Sequence, residues 1–331
     1  MRPLPSGDVL DAVLSKYRLS GMLFADSLGA GRRNDSYVIE DVEGARFVLR
    51  RYRRNPVMAR IVFQLRFQKE LKRRGFPTAE VIETTEGDLL VQLESGPWVL
   101  FSHVAGEEYD FGRLDQAAEA GRRLAQFHLV TKDIQLEDVP LDINPSLRRA
   151  WTHWEVDLDE LRAEFIGDDI EEQLTVASRS RNELVASLPL DAFDTLPSGW
   201  AHGDYHGLNV VFAGAELRGL FDFDALYRGR YVEDIGYGLF MFGREFRGSH
   251  KIRSGAARAF LDGYCDTRPL LQSERDALAL IAPLCWVGRG TYYAMLRRDG
   301  DEALVHFRRH MDTMRALWAD RQRITGMVRR G

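Results

Sequence analysis

Lysine is scarce in this chain of 331 residues: Lys16, Lys69, Lys72, Lys132 and Lys251 occur, and every other basic residue is arginine. A coding bias accounts for most of that, and it bears on function only near position 50. Cysteine is scarcer still. Cys265 and Cys285 stand alone among helix-like residues, which excludes a disulfide framework or a cysteine-ligated metal and predicts core thiols in a reducing compartment. Long apolar runs are missing too: Leu278 to Val287 is the longest and is too short to span a bilayer. The segment Met1 to Gly7 lacks the apolar core of a signal peptide. A soluble cytoplasmic protein without a membrane partner is expected. Neither sign of charge dominates, since 45 basic and 50 acidic residues leave a net charge of −5, which argues against a nucleic-acid partner. No internal repeat or low-complexity segment is visible.

What is present is enough apolar material, 45% of residues, for one or two substantial cores, with two favoured at this length. Helical spacing from Asp8 to Tyr17 predicts a short leading helix. Alternation then predicts strands over Phe24 to Leu28, Ser36 to Glu40 and Arg46 to Tyr52, with a glycine-bearing turn at Gly29-Ala-Gly31. A charged helix from Ala59 to Arg74 stops at Gly75-Phe76-Pro77. Further strands are expected at Val81, Leu89 to Leu93 and Trp98 to His103. Beyond residue 103 the pattern turns helical, over Asp115 to Thr131, Ser146 to Phe165, Ile170 to Leu188, Ser254 to Tyr264, Ser273 to Leu296 and Ala303 to Asp320. A strand-and-loop island from Ala201 to Asp224 interrupts the helices. The layout is an α+β fold of two lobes, residues 1–103 and 104–331, the first an antiparallel sheet with one inserted helix and the second larger and mainly helical.

The island carries the chemistry. His202-Gly-Asp204 and Asn209 precede the apolar Val210-Val-Phe212, a turn at Ala213-Gly214, and a run ending in Asp222-Phe-Asp224. Two short strands joined by a tight turn would bring Asn209 beside Asp222, with Asp204 on the preceding loop. An amide and two or three carboxylates at the mouth of a hairpin suit a hard divalent cation that bridges phosphate oxygens, and leave one carboxylate to orient a hydroxyl. Singly, each residue reads as an ordinary turn former. Their joint spacing favours phosphoryl transfer.

This motif resembles that of the aminoglycoside phosphotransferase and choline kinase superfamily, which includes homoserine kinases and a bacterial stress-response Ser/Thr kinase. The resemblance runs from about Phe24 to Trp286 and implies a protein-kinase-like fold with ATP and Mg²⁺ as cofactors. It implies that Asp204 is the catalytic base or a hydroxyl-orienting carboxylate, that Asn209 and Asp222 are Mg²⁺ ligands, and that Asp224 assists a second metal or the acceptor. His202 supports the loop, and His128 is a packing residue. Asp234 either holds the catalytic loop or caps a helix. Gly29 and Gly31 lie where a phosphate-covering loop belongs, or form a plain turn.

On the strand around Arg50, alternation puts Val48, Arg50 and Tyr52 on one face. The resemblance places Val48 over adenine and Arg50, in place of the usual lysine, on the α and β phosphates. Gln64 replaces the usual glutamate facing that cation, with Glu70 as an acidic alternative two turns on. Phe101 to Val104, including His103, is the expected adenine-edge segment. The implied function is transfer of the γ-phosphate of ATP to a hydroxyl of a small molecule of the aminoglycoside, homoserine, amino alcohol or sugar type, by a monomer or homodimer. A protein Ser/Thr kinase and a weakly catalytic nucleotide-binding pseudokinase are the alternatives, the latter because of Arg50 and Gln64. Aromatic and acidic residues such as Trp151, Asp157, Trp286 and Tyr292 are candidate acceptor contacts or core.

Overall fold

The computed structural model describes residues 4–19, 21–27, 34–53, 57–136 and 146–328. The chain divides into two units: Met1–Glu107 with Asp133–Leu141 and Arg218–Asp224, and Glu108–Lys132 with Asp142–Leu217 and Ala225–Gly331. The first unit opens with α1 (Gly7–Leu14), followed by β1 (Met22–Ser27), β2 (Asn34–Asp41), β3 (Arg46–Tyr52), α2 (Met58–Arg73), β4 (Val81–Ile82), β5 (Val91–Leu93) and β6 (Gly96–Ser102). Its antiparallel sheet runs β1-β2-β3-β6-β4, with β5 also paired to β6.

Strand alternation sorts β3 between two cores. Phe47 and Leu49 pack with Leu10, Val13 and Leu14 of α1 and with Trp98 and Leu100 of β6. Val48 and Tyr52 pack on the other face with Ile61 and Leu65 of α2 and with Val99 and Phe101. One helix thus covers each face of the sheet. Helix α2 ends where the sequence predicts. Gly75 takes φ +82, its N–H reaches Lys72 O at 2.9 Å, and the Phe76 N–H reaches Leu71 O at 3.2 Å. That left-handed cap satisfies the last carbonyls, and glycine adopts it without a Cβ penalty.

The second unit contains α3 (Leu114–Thr131), α4 (Arg149–Thr152), α5 (Trp154–Glu164), α6 (Glu171–Ser187), α7 (Leu190–Asp194), β7 (Ser198–Ala201) and β8 (Val210–Ala213). The chain crosses back to the first unit within β9 (Glu216–Leu220), which pairs with β8. After it come β10 (Tyr227–Arg230), antiparallel to β7, then α8 (Tyr231–Gly243), α9 (Ser254–Thr267), α10 (Gln272–Ile281), α11 (Gly290–Arg298), α12 (Ala303–Ala319) and α13 (Arg321–Val328). The fold is α+β and kinase-like.

Two expected helices are each broken. Ser146 to Phe165 becomes α4 and α5, interrupted at His153 (φ −140, ψ 20). Ser273 to Leu296 becomes α10, a 3-10 turn at Leu284–Trp286 and α11, because Pro283 cannot donate to a continuing helix and Gly288 follows. Helix α8 escapes helical periodicity because it is buried on nearly every face, with Tyr237 its one half-buried residue. Among the described residues no helix is long and apolar enough to cross a membrane.

Candidate active site

Past β7 the chain turns through His202, Gly203 and Asp204. Gly203 adopts φ +76, and a Cβ there would lie 2.4 Å from the Ala225 carbonyl oxygen, so glycine alone fits this bend. Asp234 of α8 holds the loop: its carboxylate accepts the His202 N–H at 2.7 Å and the Gly203 N–H at 3.0 Å. Asp234 lies four residues past Arg230, in the helix interior, so it is no helix cap. The N-terminal partner is Glu233, which accepts the Arg230 N–H at 2.7 Å. His128 of α3 completes the anchor, with Nε2 3.3 Å from Asp234 and Nδ1 2.8 Å from the Tyr264 hydroxyl. Burial alone would raise the Asp234 carboxyl, but the His128 hydrogen bond and nearby charge hold it below its ordinary value. Burial pushes His128 down despite Asp234, which fits a neutral ring donating through Nε2. The packing histidine expected from the sequence is therefore a hydrogen-bonding link as well.

Asp204 is clamped by several donors. The Tyr237 hydroxyl donates to Oδ1 at 2.8 Å. His206 Nδ1 accepts the Leu208 N–H at 3.1 Å, so a neutral His206 carries its hydrogen on Nε2, which lies 3.3 Å from the same Oδ1. Asn209 Nδ2 donates to the Asp204 main-chain oxygen at 2.9 Å and stands 3.5 Å from Oδ2. With its side chain 31% exposed, Asp204 is oriented yet open to a reactant. Sequence reasoning missed Tyr237 and His206. Tyr237 was detectable, because three residues beyond Asp234 on a helix puts both on one face.

Asp222, two residues beyond β9, is the one non-glycine with positive φ (+61) among the described residues. Its Oδ1 lies 3.5 Å from Arg50 Nη1. The guanidinium also rests 5.9 Å from the Phe101 ring centroid, and its Nε is buried without a hydrogen-bond partner. Burial opposes the Arg50 charge, but Asp222, Tyr52 and Asp224 together raise its pKa above the ordinary value. Asp224 accepts the Asn34 amide at 2.9 Å, and its carbonyl accepts Arg60 Nη2 at 2.7 Å.

The expected pairing of Arg50 with Gln64 does not form. Gln64 is buried on α2, and the acidic partner of Arg50 comes instead from the segment after β9. Glu70 is taken by Arg73 and Arg74, which draw its carboxyl down to about 2. Val48 faces Phe101 across the β3–β6 ladder. The N–H groups of Ser102 and His103 are engaged by the Glu80 and Arg46 carbonyls, and burial lowers the His103 pKa. Gly29 and Gly31 lie outside the described residues.

A kinase-like fold with a positioned carboxylate on an anchored His-Gly-Asp loop defines a phosphotransferase. The chain belongs to the phosphotransferase enzyme family, whose profile it matches over residues 26–277. It is 26% identical over 273 residues to the homoserine kinase of Bartonella tribocorum, covering 82% of this chain and 81% of that protein. Among solved structures it resembles a microcompartment-associated aminopropanol kinase (TM-score 0.68, 18% identity, 96% of this chain and 97% of that one). It also resembles amicoumacin kinase in complex with AMP-PNP, Ca²⁺ and Ami (TM-score 0.65, 18% identity, 94% and 93%). The protein is a small-molecule kinase with a hydroxyl acceptor.

Proposed function

We propose that this kinase moves the γ-phosphate of ATP, with Mg²⁺, to the hydroxyl of a small amino alcohol, with Asp204 as the base. The observation that carries the reading is the Asp204 clamp: Tyr237, His206 and Asn209 fix a half-exposed carboxylate where proton transfer or hydroxyl orientation needs one. In the reaction the acceptor oxygen bonds to the γ-phosphorus, the bridging bond to ADP breaks, and the hydroxyl proton passes to Asp204. The nucleotide follows from the likeness to a kinase solved with AMP-PNP. The amino alcohol follows from relatives named for homoserine and aminopropanol.

The donor chemistry fits Mg²⁺. Asn209 commits its amide nitrogen to the Asp204 main chain, which leaves the amide oxygen for a hard cation, and Asp222 and Asp224 supply carboxylates. When bound, the ion neutralises phosphate charge. Arg50 is assigned to the phosphates, Val48 and Phe101 to the base, and Gln64 to support of that wall from α2. The carbonyls of the Phe101–Val104 segment, rather than the engaged His103 amide, are assigned to the adenine edge, and Gly29 and Gly31 to the phosphates. The test is ADP release with ATP, Mg²⁺ and homoserine or 3-aminopropan-1-ol. Asp204→Asn should lower kcat by about 10²- to 10⁴-fold with the melting curve unchanged; a variant that turns over like the wild type would sink the assignment.

A further inference from the structure

Three buried polar atoms without hydrogen-bond partners gather on neighbouring elements of the second unit: Trp286 Nε1, Arg289 Nε and Glu160 Oε2. Trp286 ends the 3-10 turn and is 9% exposed. Arg289 immediately precedes α11, and Glu160 lies on α5, which packs against α11. Arg289 Nη2 reaches Glu160 Oε1 only at 3.5 Å, and its Nε is 3.9 Å from Asp157 Oδ1, a carboxylate already engaged by Arg149. Leaving a buried donor or acceptor unmet is destabilising, so two donors and an acceptor left so on neighbouring elements call for an explanation.

The cluster is also tied to the reaction centre. Trp286 stacks on Tyr237, ring centroids 4.9 Å apart at 17°, and Tyr237 is the residue whose hydroxyl donates to Asp204. A group bound at Trp286 and Arg289 is therefore one aromatic pair away from the catalytic carboxylate.

We propose that Trp286, Arg289 and Glu160 form the recognition site for a zwitterionic acceptor, a short hydroxy amino acid. Its carboxylate takes the Trp286 Nε1 and Arg289 donors, and its ammonium takes Glu160. This rests on the kinase reading above and names the acceptor class within it. A neutral sugar could offer hydroxyls to these atoms but no charge of either sign to the loosely paired Arg289 and Glu160. An amino alcohol without a carboxylate would meet Glu160 and leave Trp286 Nε1 and Arg289 Nε still without partners. The zwitterion satisfies all three atoms.

The test is calorimetric titration of the ADP-loaded protein with L-homoserine, 3-aminopropan-1-ol, which lacks the carboxylate, and 4-hydroxybutanoate, which lacks the ammonium. Homoserine should bind roughly 10- to 100-fold tighter than either. Arg289→Met should erase its advantage over 3-aminopropan-1-ol, and Glu160→Gln its advantage over 4-hydroxybutanoate, with KM for homoserine rising more than kcat falls. Equal binding of the three compounds by the wild type, which requires no variant to fold, overturns the proposal. So does an Arg289→Met variant that weakens all three alike. A protein that phosphorylates 3-aminopropan-1-ol as efficiently as homoserine keeps the kinase reading and loses this one. One that binds homoserine through Arg289 yet transfers no phosphate does the reverse.

Discussion

The two key carboxylates are held in opposite ways. Asp204 sits on a loop pinned through two backbone N–H groups by the buried Asp234, and takes a 2.8 Å hydrogen bond from Tyr237. Asp222 sits in a left-handed backbone conformation and meets Arg50 only at 3.5 Å. The first is preorganised, so the surrounding structure has already met the cost of aiming it. The second is held by charge and strain, a state that the cation and phosphate of the proposed reaction would redistribute, since Arg50 still has a buried N–H without a partner. Under the proposed function, the base is built in advance, whereas the groups assigned to metal and phosphate are poised for exchange.

The strongest way to break this comparison is Asp222→Asn. Asparagine tolerates the left-handed region as aspartate does and gives up only the charge of the 3.5 Å contact with Arg50, so the melting temperature should drop slightly while Mg²⁺-dependent turnover falls by roughly 10³-fold or more. Asp222→Ala should lose the same activity and also about 1 kcal/mol of stability in urea unfolding. Full activity in Asp222→Asn would remove this residue from the proposed metal ligands. Next in size is the anchor of Asp204. Asp234→Ala leaves two backbone N–H groups and His128 Nε2 without their acceptor and should cost about 3–5 kcal/mol. Denaturant midpoints measure it, and a loss near zero would mean that the loop is held by something else.

The smallest effect sharpens the same anchor through pH. His128 and Asp234 both have pKa values below their ordinary ones. The unfolded chain therefore takes up their protons first, and stability falls as pH drops. The loss begins below the ordinary histidine value of 6.5 and deepens below the ordinary aspartate value of 3.8. Glu233 runs the other way, because burial raises its pKa; its contribution is lost as pH rises through that raised value, and so partly offsets the decline in acid. Urea midpoints between neutral pH and about pH 5 should fall, and His128→Gln should flatten the upper part of that slope. A wild-type midpoint independent of pH would contradict the anchor's protonation states.

Much of the fold was legible in the residues. Alternation along Arg46 to Tyr52 separated the two faces of β3, and Gly75-Phe76-Pro77 marked the end of α2. The family was legible too, since His202, Asp204, Asn209 and Asp222 lie close together in the chain and their spacing is a local property. The length of helix α8 was hidden, although Asp234 pointed to a helix there, because a helix buried on nearly all sides has no polar face to reveal its period. The partner of Arg50 was misread because register along α2 points to Gln64, while the structure draws a carboxylate from a segment 172 residues away.

By itself, then, the sequence determined that this chain is a kinase-like phosphotransferase, and it placed His202, Gly203 and Asp204 on one short loop. Only the tertiary structure decided how Asp204 is aimed, what Arg50 pairs with, and that Trp286, Arg289 and Glu160 each keep one buried polar atom without a hydrogen bond. The reason is physical: motif spacing records contacts made along the chain, whereas burial, unmet donors and long-range ion pairs exist only once distant segments have packed.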